Sequence, residues 1–145
     1  MKTSTKKSVQ SELKFDRSKP KFYTYRQNNS GGGFVQDHKQ GISVFVCIEA
    51  ESASQADDLA EQIGLYFNGC DTGADCSCCG DRWYHAYKDD GTNTPMMYDQ
   101  DISKGEFKEN FLVWMKDGIE GYIHYLNGKV KKVKGIKVPY VAKSK

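Results

Sequence analysis

The run Ile42-Ser43-Val44-Phe45-Val46-Cys47-Ile48-Glu49 constrains the fold most, because it is nearly continuous in β-branched and aromatic residues. A half-buried strand alternates apolar and polar residues, whereas a run without alternation predicts a central strand covered on both faces. A covering layer is legible just downstream. Ser52 or Ser54 can cap a helix that continues through Gln55 to Ile63, with Asp57 and Asp58 near the positive end of its dipole. Ala56, Leu59, Ala60 and Ile63 fall at i, i+3, i+4 and i+7, so one stripe packs on the sheet while the charged residues face water, and Gly64 can end the helix.

Lys21-Phe22-Tyr23-Thr24-Tyr25-Arg26 alternates rings and polar groups like a half-buried strand, and Gln27 to Gly33 breaks it. Phe111 to Met115 reads as a further strand. Tyr122 to Leu126 connects through Asn127-Gly128, a two-residue hairpin signal, to Lys129 through Val133. The expectation is an α+β domain: a mostly antiparallel sheet with at least one packed helix and an irregular cysteine-rich lobe. It spans 21–145, with the cysteine-rich insertion at about 68–106, a basic C-terminal hairpin, and a flexible basic arm over 1–20. A connection as long as 68–106 needs support of its own, such as a metal.

Seven Phe, nine Tyr and two Trp in 145 residues are enough to bury a core. No apolar stretch approaches the roughly 18 to 20 residues of a membrane span, and residues 1–20 hold no apolar block of signal type. A cytosolic location without membrane contact is expected. The net charge of +2 hides an asymmetry: residues 1–20 carry six basic and two acidic groups, 127–145 carry seven Lys and no acid, and 21–126 hold eight basic against 17 acidic groups. Basic ends attract anions or simply keep the chain soluble. On Lys129 to Lys137 neither face is cleanly apolar, which reads as an edge strand whose lysines block aggregation. Nucleic-acid binding is disfavoured by the acidic middle.

Cys70, Cys76, Cys78 and Cys79 lie within ten residues of one another, while Cys47 sits in the apolar run as a small core residue. Cys76-x-x-Cys79-Gly80 matches a zinc knuckle, in which a tight turn aims two thiolates at one ion. Two more ligands are needed, and Cys70, Cys78 and His85 are the local candidates, with His38 and His124 more remote. The alternatives are reduced structural cysteines, redox chemistry through Cys76 and Cys79, or a nucleophilic Cys helped by His85. A zinc ion here would be structural rather than catalytic.

Two neighbouring segments offer ligand-binding chemistry. Arg82, Trp83 and Tyr84 bring a cation and stacking rings together, suited to a nucleobase and its phosphates; alternatively Trp83 anchors the lobe and Arg82 pairs with Asp81 or a backbone carbonyl. Arg26-Gln27-Asn28-Asn29-Ser30-Gly31-Gly32-Gly33 could form a phosphate-cradling nest, or a plain flexible tip. It lacks the Gly-Lys-Ser/Thr of a P-loop and the spacing of a dinucleotide fold.

The segments Phe22 to Gly32, Gly64 to Gly73 and Asp75 to Tyr84 resemble a family of small uncharacterised tailed-bacteriophage proteins, over roughly residues 22–87. The Lys-rich C-terminal hairpin lies outside that likeness. The resemblance implies a phage protein in the host bacterial cytoplasm, where small accessory proteins bind host factors or sequester nucleotide second messengers as oligomers. The expected function is therefore a non-enzymatic anti-defence protein that binds an anionic nucleotide-like ligand. Arg26, Gln27, Asn28, Asn29, Ser30, Gly31 and Gly32 would hold phosphate, with Arg82 beside them, while Trp83 or Tyr84 would stack the base. The alternative is a zinc-stabilised module that binds and inhibits a host defence protein. A nuclease or phosphodiesterase using Asp75 and Asp81 with metal ranks behind both, for want of a paired acid and base at persuasive spacing.

Overall fold

The computed structural model describes residues 19–97, 99–109 and 119–137. Most of the arm, the Phe111–Met115 strand and the last eight residues fall outside the described residues. In chain order the elements are β1 (Lys21–Arg26), a 3-10 turn (Ser30–Gly32), β2 (Phe45–Ala50), α1 (Ala53–Ile63), α2 (Gly69–Thr72), a 3-10 turn (Lys88–Asp90), β3 (Met96–Met97), β4 (Gln100–Asp101), β5 (Glu106–Glu109), β6 (Glu120–His124) and β7 (Val130–Lys137). The class is α+β. A five-stranded sheet runs in the order β1-β2-β6-β7-β5, beside a small β3-β4 ribbon.

Sheet neighbours that are also consecutive in the chain pair antiparallel, β1 with β2 and β6 with β7, whereas β2 with β6 and β5 with β7 pair parallel. Hairpin signals report only the first kind of neighbour. Parallel partners need a long crossover, so they are decided by segments far apart in sequence. Among the described residues no helix is long and apolar enough to cross a membrane.

Strand β2 is covered on both faces, as its sequence demands. Val46, Ile48 and Ala50 join Tyr23 and Tyr25 of β1, Ala56 and Ala60 of α1, and Leu65, Phe67 and Trp83 in one cluster. Phe45 and Cys47 point the other way, into Phe22, Met97, Ile102, Phe107, Ile119, Ile123 and Val133. Burying each large apolar side chain contributes about 1.5–3 kcal/mol. Gly121 of β6 stands opposite Phe45, and a methyl group there would collide with the Phe45 ring.

Ser52 Oγ accepts the Gln55 N–H at 3.0 Å and caps α1. Gly64, at φ +121°, ends the helix with its N–H on the carbonyls of Ala60 and Glu61. The stripe packs as its period predicts. Asp57 departs from the expectation that charged residues face water: its carboxylate accepts from Tyr25 Oη at 2.8 Å and from the Ala86 N–H at 3.0 Å.

Two readings of the C-terminal hairpin need correction. A two-residue type I′ turn requires positive φ at both central positions. Here Gly128 has φ +96° while Asn127 is not left-handed, and Gly128 N–H bonds to Tyr125 O. Asn127 Oδ1 instead accepts the Lys129 N–H, which makes a longer loop. Strand β7 is also not an edge, for it lies between β6 and β5. Lys134 stands opposite Glu120 on one side and Glu106 on the other, and Lys132 Nζ is 3.6 Å from a Glu120 carboxylate oxygen. Opposite charges on adjacent strands account for lysines in an interior strand.

Candidate functional site

The structure brings the glycine loop and the cysteine lobe together, and a buried latch holds them. Asp75 has a fully buried side chain; it accepts from Tyr66 Oη at 2.7 Å and from the Arg82 N–H at 2.8 Å. Its approach passes over Gly69, where any side chain would collide with the carboxylate. Arg82 lies alongside, with Nε 3.7 Å from Asp75 Oδ1 and donating to Tyr66 Oη at 3.2 Å. Nη1 donates to Gln27 Oε1 and to Gly33 O, both at 2.8 Å, and Nη2 donates to Ser30 O at 2.6 Å. Burial, and then the bond to Asp75, raises the Tyr66 pKa, so its hydroxyl stays a donor.

The loop answers in kind. Gln27, itself buried, donates through Nε2 to Ser43 O and Val35 O. The Asn28 N–H meets Arg82 O, and its Nδ2 donates to Cys79 O at 2.8 Å and Asp81 O at 3.1 Å. Ser30 Oγ is buried and accepts the Cys76 N–H. A buried polar group is satisfied or costly, and these groups satisfy one another.

Cys76-Ser77-Cys78-Cys79-Gly80 folds over this base as a tight turn, with the N–H groups of Cys79 and Gly80 on Cys76 O at 3.1 and 3.2 Å. Gly80 takes φ +90°, and a side chain there would press on Tyr84 Oη. The Sγ atoms of Cys76, Cys78 and Cys79 lie within 4.8 Å of one another, and all three residues are exposed. Cys76 and Cys78 are joined as a disulfide, with Cys79 Sγ 3.6 Å from Cys78 Sγ. Once reduced, the trio can hold a metal ion: soft thiolate donors converge at one point on the surface.

Other candidates are placed elsewhere. His85 is not a ligand of this cluster: its Nδ1 is 2.9 Å from Asp57 Oδ2 and its ring stacks on Phe67 at 4.1 Å. Cys70 stands outside the trio, its thiol donating to Cys76 O at 3.5 Å and its N–H to Asp81 Oδ1 at 2.9 Å. The Asp81 carboxylate, ahead of burial, pushes that thiol up to about 11. His38 pairs with the Tyr122 hydroxyl, and His124 Nε2 donates to Gly41 O at 2.8 Å.

The proposed ligand residues divide. Trp83, 2% exposed, is part of the helix-side core and is not presented for stacking, whereas Tyr84 is 55% exposed. Arg82, Gln27, Ser30 and Asn28 are engaged in the latch. Gly31 has φ +78°; Arg26, Asn29 and Gly31 face solvent. Neither Asp75 nor Asp81 stands as a paired acid and base, since each carboxylate already accepts backbone N–H groups. The Asp75–Arg82–Tyr66 latch escapes sequence reasoning: Arg82 has Asp81 as neighbour, and only the fold of the intervening loop selects Asp75 instead. Cys47 is wholly buried and, chiefly through burial, its thiol is pushed up to about 11, as befits a core residue.

No curated protein and no solved structure matches the chain. A family described as a domain of unknown function, DUF7296, matches residues 20–142, and since that is most of its length the chain belongs to the DUF7296 family.

Proposed function

We propose that the chain is a zinc-stabilised binding module of a phage, which docks on a host protein in the bacterial cytoplasm and inhibits it without turnover. One observation carries this reading: the sulfur atoms of Cys76, Cys78 and Cys79 converge on the exposed surface, while the Arg82 guanidinium is spent on Gln27, Ser30 and Gly33. Zinc is the metal that suits a thiolate knuckle on a tight turn, and it changes no oxidation state. It would fix the lobe, beside which the Tyr84 ring is exposed for contact. Aromatic anchors of this kind dominate many interfaces. Sequestration of a nucleotide-like anion is weaker on this geometry, because Arg82, Gln27 and Ser30 are engaged with one another and Trp83 is buried, which leaves Arg26, Asn29, Gly31 and Tyr84 of that set at the surface.

Native mass spectrometry of the reduced full chain tests the proposal, first with zinc and then after mixing with a nucleotide-rich extract or with host lysate. The expected result is one zinc per chain, no retained small anion, and a protein partner that dissociates on chelation. A nucleotide retained at one per chain or per oligomer would overturn this reading in favour of sequestration.

A further inference from the structure

We infer that the thiolate cluster is an open metal site, completed by an imidazole from a basic segment of the partner protein. This inference rests on the metal-module reading above. A structural zinc site holds four ligands in a tetrahedron. With the Cys76–Cys78 disulfide reduced the cluster supplies three, and no further Cys, His, Asp or Glu among the described residues joins them.

The nearby donors have other work. The Cys70 thiol turns to a backbone carbonyl and its N–H is tied to Asp81. His85 is clamped between Asp57 and the Phe67 ring. Asp75 is buried beneath the lobe, facing Arg82 and Tyr66. The trio, by contrast, is exposed. An ion held there therefore has its fourth position toward solvent, where a second molecule can reach it.

Charge selects the kind of ligand. Three thiolates on a divalent cation leave one net negative charge, and a fourth thiolate would leave two. Asp71 and Asp81 stand in the same lobe, and residues 21–126 as a whole carry 17 acidic against eight basic groups. Adding another anion to that surface is unfavourable, while a neutral imidazole adds no charge and Lys or Arg flanking it gains attraction. The fitting partner segment is an exposed histidine among basic residues. Metal and partner then bind cooperatively, each raising the affinity of the other by the same factor.

The test uses cobalt(II) as a spectroscopic stand-in for zinc in the reduced full chain, in wild type and in Cys70→Ser. Imidazole and 2-mercaptoethanol serve as separate probes of the fourth position. The expected result is one cobalt per chain with sulfur-to-metal absorption that Cys70→Ser leaves unchanged. Imidazole should shift the visible bands saturably and raise cobalt affinity at least about tenfold, and the thiol should do less. If Cys70→Ser abolishes the tetrahedral bands and imidazole has no effect on wild type, Cys70 closes the site and the open position is overturned, while the metal reading survives. Stronger binding of the thiol than of imidazole would overturn the choice of ligand. No cobalt uptake at all would overturn the metal reading with it.

Discussion

The glycine loop at 27–33 and the cysteine turn at 76–80 look alike on paper: both are short, carry glycine, and offer groups that bind ions. In the folded chain they take opposite roles. The loop's Gln27, Asn28 and Ser30 face inward and are consumed by the Asp75–Arg82 latch, whereas the turn's three sulfurs face outward. Availability is thus decided by what lies behind a group, not by its chemistry. The inner region should govern stability, and the outer one metal and partner binding.

Removing the latch cation should break the comparison most severely. Arg82→Met leaves Asp75 buried without its guanidinium and strands the carbonyls of Ser30 and Gly33, so a loss of about 3–5 kcal/mol is expected in urea unfolding. A loss below about 1 kcal/mol would mean that the loop is not held this way. The next effect is alkaline. Below pH 9.0 the Cys47 thiol is neutral in both states; above it the unfolded chain ionises first, because burial pushes the folded value up to about 11. Stability should fall over that window by about 2–3 kcal/mol from Cys47 alone. Burial and the Asp57 bond raise the Tyr25 pKa and act in the same direction. Urea midpoints between pH 8 and 10.5, compared with Cys47→Ala, isolate the thiol: an unchanged slope in the variant would sink this account.

Asn28→Ala sharpens the comparison, because Asn28 is where the two regions touch. It should cost about 1 kcal/mol and weaken metal binding a few-fold, since Cys79 O and Asp81 O lose their donor. Full metal affinity in this variant would show that the turn is rigid without the loop. The smallest stability effect belongs to Cys79→Ser. In metal-free protein its melting should stay within about 0.5 kcal/mol of wild type, yet the rise in Tm on adding zinc should vanish. An undiminished zinc response would remove Cys79 from the site.

Legibility followed the range of each interaction. Ser52, the Ala56–Ile63 stripe and Gly64 carry their own instructions within one helix, so α1 forms as its spacing requires. The knuckle was visible for the same reason, its sulfurs being separated by one to three positions. His85 was misplaced because proximity in sequence suggested the cysteines, while a carboxylate 28 residues upstream, Asp57, captured it. The hairpin signal found the partner strands but not the loop: Asn127 spends its side chain on Lys129 and never becomes left-handed. Arg82 does donate to backbone carbonyls, those of Ser30 and Gly33, as one of its two expected pairings had it, but its acid is Asp75, seven residues back, and not the adjacent Asp81.

The sequence by itself determined that β2 would be covered on both faces, that one amphipathic helix would form a lid on it, and that Cys76 and Cys79 would share one tight turn. Each depends on spacing within a few residues, which backbone geometry converts directly into a face or a cluster. Only the tertiary structure decided which polar groups remain available, which strands pair in parallel, and that β7 lies inside the sheet rather than at its edge. Those outcomes come from segments far apart in sequence competing for the same hydrogen bonds and charges, and that competition is resolved only when the chain has folded.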